Sequence, residues 1–151
     1  MSDEHEDERL DPDILEREGL DAAAVEAVGK ISEAMETIEV ARGFLYQFHR
    51  MTGTADFQLG DAVDLLRKAG YDDLAEELDT ELVGRNVLPG RWTFQVVEGY
   101  DETYYEPLRD FDRRARALTN GHQHLFEAGL KRQRRTAGEH GHEAEPSGEP
   151  D

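Results

Sequence analysis

Apolar residues recur along this chain at steps of three and four and almost nowhere at steps of two, which leaves it one fold class. Val28, Ile31, Met35, Ile38, Leu45 and Phe48 follow the helical spacing in the first half. In the second half Phe94, Val97, Asp101, Tyr104, Leu108, Phe111, Ala115 and Leu118 alternate threes and fours as a seven-residue repeat. Only Phe94-Gln95-Val96-Val97 has the look of a strand, and it lies inside that repeat, so it is assigned to helix. The predicted class is all-α.

Start and stop signals divide the pattern. Asp21 is a good N-cap and Gly53 a plausible stop, giving a first long helix over 21–53. Thr54 reads as the cap of a second helix whose stripe is Phe57, Leu59, Ala62, Val63 and Leu66, ending at Lys68-Ala69-Gly70. Asp72 or Asp73 then caps a third, with Leu74, Leu78 and Leu82 facing the core and Gly84 closing it. Pro89 and Gly90 suit the two central positions of a type II turn over Leu88 to Arg91. The long repeat that follows contains Pro107, which calls for a kink or a new helix near Glu106, and Asn120-Gly121 stops it before a short last helix with Leu125, Phe126 and Leu130. The expected architecture is an up-and-down bundle of two long helices with a short helical hairpin between them. Gly29 and Gly43 sit fourteen residues apart on one face of the first helix. Each costs about 1 kcal/mol relative to alanine, and close packing within the fold is the expected reason for them.

At 151 residues with 37% hydrophobic content, one core is expected. The net charge is −18, from 35 acidic against 17 basic residues. Most of the excess lies in residues 1–20, expected as a mostly disordered acidic tail in which Asp11-Pro12-Asp13 opens a short helical turn through Ile14, Leu15 and Leu20, and in 137–151, expected as a disordered acidic tail; between them a single domain is expected over 21–136. The absence of cysteine excludes disulfides, thiolate metal sites and cysteine nucleophiles. An acidic, polar start is the reverse of a secretory signal, and no apolar run approaches a membrane span, so no membrane partner is expected. A cytoplasmic protein is the expectation, and its acid-rich, lysine-poor composition is that expected of a salt-adapted (halophilic) cytoplasm or of a high-GC genome.

Polar residues on apolar stripes are the candidates for a site. The first helix's register brings Arg42 and His49 onto the stripe, and the later repeat brings Asp101. A buried arginine needs a carboxylate, for which Asp101 is first and Glu98 second. Together with Glu102 these residues form a candidate polar core: either a register-fixing ion pair or a pocket for acid/base work or a metal.

Carboxylates three apart occur as Glu33-x-x-Glu36, Glu36-x-x-Glu39, Glu76-x-x-Asp79 and Glu98-x-x-Asp101. Glu33-x-x-Glu36 and Glu98-x-x-Asp101 resemble in part the Glu-rich motifs of the all-α nucleoside triphosphate pyrophosphohydrolases, the MazG-like group, although their separation is much longer than in that family. The resemblance implies a Mg²⁺-dependent hydrolase with Glu98, Asp101 and Glu102 facing Glu36 or Glu39; outside it no cofactor or metal is expected. A ferritin-like di-iron set needs Glu-x-x-His on paired helices, which His49, His122 and His124 do not complete, since Tyr46, Thr119 and Gly121 stand three residues before them. Nor is there a phosphate-binding glycine loop or a nucleophile elbow.

Residues 107–136 hold eight bases against three acids. The acidic segments on either side are nearer competitors for that charge than nucleic acid, so charge pairing within the chain or between subunits is expected instead. Arg85, Asn86, Arg91 and Trp92 in the link are candidates for binding an anion or a partner surface, or for capping the preceding helix. The reading that results is a non-catalytic interaction or structural module with a protein partner or a second copy of itself. Its rival is the metal-dependent hydrolase. Convergent carboxylates would mark the hydrolase and an exposed apolar face the interaction module.

Overall fold

The computed structural model describes residues 12–122 and 124–145. The elements in order are α1 (Pro12–Glu18), α2 (Ala22–Lys68), α3 (Asp72–Glu81), α4 (Thr93–Tyr100), a π turn (Asp101–Tyr105), α5 (Glu106–Ala115), a 3-10 turn (Arg116–Thr119) and α6 (Leu125–Arg134). The fold is all-α, as the periodicity requires. Among the described residues no strand forms. Leu88 and Arg91 exchange backbone hydrogen bonds of 3.3 and 3.0 Å across the Pro89-Gly90 turn, with Gly90 at φ +71°. Of the tails expected over 1–20 and 137–151, residues 1–11 and 146–151 lie outside the described residues.

The helix expected to end at Gly53 runs on to Lys68. A glycine stop works by taking positive φ, and Gly53 stays in the helical region while Gly70 takes φ +86°. Thr54, expected to cap forward, turns its hydroxyl back to the Arg50 carbonyl at 3.0 Å. The signals at Asp21 and Gly70 act as read. Asp21 accepts from the Ala23 N–H at 3.3 Å, and the Tyr71 N–H reaches the Leu66 carbonyl at 2.9 Å behind Gly70. Tyr71, not an aspartate, occupies the N-cap of α3; Asp72 and Asp73 lie in its first turn, where their charge favours the helix dipole.

The chain packs as two compact units, residues 1–36 with 109–151 and residues 37–108. In the described part of the first, Ile14 of α1, Val25 of α2 and Leu125 of α6 form a buried cluster with Leu15, Leu20 and Phe126 against it. Each such side chain contributes about 1.5–3 kcal/mol by leaving water. Residues 12–20, expected as tail, therefore supply core. Gly29 lets Phe126 approach: a Cβ there would lie 3.2 Å from the ring, so this glycine serves close packing within the fold. Gly43 does not; a Cβ there meets open space.

In the second unit Val63, Ala75, Thr93, Val97 and Tyr105 are buried. The Leu74 and Leu82 of the expected α3 stripe are half exposed, and Ala75 is the residue that turns inward. A small side chain lets a helix seat closely, and that contact outweighs the leucine pattern.

The π turn accounts for Pro107 and resets the register. The Glu106 N–H bonds to the Asp101 carbonyl, one residue further back than in an α-helix, and Pro107 falls in the first turn of α5, where its missing N–H is tolerated. The wider turn absorbs one extra residue. Within and after it Tyr105, Asp112 and Thr119 are buried, each one place after the expected Tyr104, Phe111 and Leu118, which are exposed, while Ala115 is buried as the repeat expects.

Candidate functional site

Arg42 of α2 and Asp101 of the π turn form the ion pair anticipated from their registers. Nε donates to Oδ1 at 2.7 Å and an Nη to Oδ2 at 2.9 Å, a bidentate fork. The guanidinium also lies over the rings of Tyr105 (4.6 Å) and Tyr46 (5.0 Å), and the Tyr105 hydroxyl donates to Glu39 at 2.7 Å. The hydrogen bonds from Arg42 hold the Asp101 carboxyl below the usual carboxylate range against the opposing effect of burial. The same bonds raise Arg42 further above its already high value.

The other polar-core candidates are placed elsewhere. His49 bonds through Nδ1 to the Thr93 hydroxyl at 2.7 Å, and Glu98 and Glu102 are exposed. The spaced carboxylates are largely matched to donors: Glu33 to Lys30 at 3.1 Å, Glu36 near His124 at 3.7 Å, and Glu76 and Asp79 both to Arg67 at 3.4 and 3.3 Å. Among the described residues no three Asp, Glu or His side chains gather as a metal ion would require.

The basic segment is paired within its own unit. Arg113 and Arg114 meet Asp110, Arg132 meets Glu145, and Arg135 donates to the His142 carbonyl at 3.1 Å. Asp112, counted by sequence as one more surface acid, is 1% exposed, accepts from the Ser32 hydroxyl at 2.8 Å and pairs with Arg116. Its burial follows from the register shift at the π turn, which the spacing of apolar residues does not announce.

The link candidates divide. Arg91 lies along α4, its guanidinium in the space a Cβ at Gly99 would occupy. Arg85, Asn86 and Trp92 line a cavity of about 360 Å³ with Leu59 and Asp56 of α2 and Leu82 beyond α3. The Gln95 side chain accepts from the Trp92 N–H at 2.7 Å and fixes the start of α4.

Sequence reasoning also missed the outer face of α2. Val40, Phe44, Phe48 and Met51 recur at four, four and three, and are 61%, 71%, 45% and 68% exposed. They lie on the opposite side of the helix from Arg42 and His49. The residues interleaved with them, Thr37, Ala41, Gln47, Thr54, Ala55 and Gln58, are all uncharged in a chain that is 34% charged. The signal was present in sequence, but Phe48 had been read with the inward stripe. No helix among the described residues is long and apolar enough to cross a membrane.

No protein-family model matches the chain, and comparison with curated proteins and with solved structures finds no similar protein.

Proposed function

We propose that this protein is a non-catalytic interaction module of a salt-rich cytoplasm, and that its partner is a second copy of itself, bound through the outer face of α2. The reading rests on one observation, the exposed and uncharged stripe of Val40, Phe44, Phe48 and Met51. A contiguous apolar patch of a few hundred Å² rimmed by polar residues is often a binding surface.

Two arguments favour a copy over a different partner. A two-fold axis sets a surface against itself, so any charge on it would meet its like. With a net charge of −18 that repulsion is the main obstacle to self-association, and the face from Thr37 to Gln58 carries no charge. The four large side chains expose on the order of 450 Å² of apolar surface. Two copies together with their threonine and glutamine flanks then reach roughly 1,200 Å², the lower end for a stable interface.

Carboxylate geometry lends the hydrolase reading no matching support, since Asp101 is engaged by Arg42 and Glu39 accepts from Tyr105.

The test uses the absence of native cysteine. A single cysteine at Gln47, midway along the face, should give a disulfide-linked dimer on mild oxidation. A single cysteine at Glu77 on α3 should not. Equal cross-linking at both positions, or none at Gln47, would count against the reading.

A further inference from the structure

The cavity beside the Pro89-Gly90 turn combines one negative and one positive side chain with an apolar interior. Its apolar wall comes from Leu59, Leu82 and the indole of Trp92. The volume, about 360 Å³, lies in the range of small-molecule sites. Asp56 and Arg85 both line it, yet they form no ion pair with each other. Asp56 is held by its own contact: Oδ1 accepts the Gly84 N–H at 2.7 Å, and Oδ2 has no hydrogen-bond donor among the described residues. The Arg85 guanidinium donates to the Glu81 carbonyl at 3.3 Å and meets no carboxylate among the described residues.

A ligand suited to this lining needs an anionic group for Arg85, a cationic group for Asp56 and an apolar body for the Trp92 wall. A simple fatty or aromatic acid would satisfy the arginine and be repelled by Asp56; an amine would do the reverse. A zwitterion satisfies both. We infer that this cavity binds a small apolar zwitterion, an α-amino acid with a branched aliphatic or aromatic side chain. The carboxylate pairs with Arg85, the ammonium with Asp56 Oδ2, and the side chain packs on Trp92, Leu59 and Leu82. The Asp56 to Gly84 bond pre-positions the carboxylate, so little conformational freedom is lost on binding.

Trp92 is the single tryptophan, so its emission reports on the cavity wall. Full-length protein is titrated with L-leucine, with 4-methylpentanoate, which lacks the amine, and with 3-methylbutylamine, which lacks the carboxylate. Calorimetry runs in parallel. Leucine should change the emission saturably with millimolar or tighter affinity, and each truncated probe should bind at least tenfold more weakly. Asp56→Asn keeps an oxygen for the Gly84 N–H, and should abolish the preference for leucine over 4-methylpentanoate. Arg85→Gln should abolish the preference over the amine. Equal binding of leucine and 4-methylpentanoate by the wild type would overturn the inference, as would the absence of both heat and emission change up to about 20 mM leucine, an affinity too weak for a built site.

Discussion

Arg42 and Asp101, 59 residues apart in sequence, meet in a two-pronged ion pair with both side chains about a quarter exposed (24% and 25%). Such a pair is costly to half-remove. Arg42→Met leaves the Asp101 charge beside two aromatic rings without its donor, and should destabilise the fold by about 3 kcal/mol. The double variant Arg42→Met with Asp101→Leu should recover most of that loss in a denaturant melt. Equal stability of the single and double variants would show that the pair fixes nothing.

The same pair sets an acid limit. Hydrogen bonds from Arg42 lower the Asp101 pKa in the folded state, so the folded protein binds fewer protons than the unfolded chain around the unfolded value of about 4. Its stabilisation is complete above that pH and is lost as pH falls through the lower folded value. The stability gap between wild type and Asp101→Asn should be constant near neutrality and shrink below about pH 4. A gap that widened on acidification would reverse the sign and refute the assignment.

Ser32 and Asp112 form the buried counterpart in the other unit, their oxygens 2.8 Å apart. Ser32→Ala removes a donor from a carboxylate that is 1% exposed, and should cost about 1–3 kcal/mol in a thermal or denaturant melt. A neutral outcome would mean that Arg116 alone satisfies the carboxylate.

The two glycines of α2 should respond differently to alanine. At Gly43 a methyl meets open space, so Gly43→Ala should stabilise by about 1 kcal/mol. At Gly29 the methyl would press on the Phe126 ring at 3.2 Å, so Gly29→Ala should gain less or lose. Equal gains at both sites, measured by thermal melting, would show that Phe126 does not need that space.

What could be read from the sequence, and what could not, follows from period. The helix class, the caps at Asp21 and Gly70, the Pro89-Gly90 turn and the Arg42 to Asp101 pair all express local chemistry or an unbroken 3.6-residue repeat, and all are found in the fold. Three features escape such reading. Gly53 and Thr54 look like a boundary but are compatible with a helix that tertiary packing continues. Ala75 displaces the Leu74 and Leu82 stripe because close seating favours the small residue. Asp112 becomes buried because one π turn brings it, with Tyr105 and Thr119, inward by one place, although Ala115 keeps its expected burial. The outer face of α2 was hidden for a related reason: Phe48 satisfies two helical registers at once, and only the placement of Arg42 and His49 tells which side is in.

Sedimentation velocity on the full-length protein tests the central claim most directly, comparing wild type with the Phe44→Glu and Met51→Glu double variant. Both substitutions fall on exposed positions, so the helical circular dichroism should be unchanged. The account predicts a wild-type dimer of twice the 17.1 kDa chain mass and a monomeric double variant. A wild type that sediments as a monomer at every concentration, or a dimer indifferent to both glutamates, would contradict it.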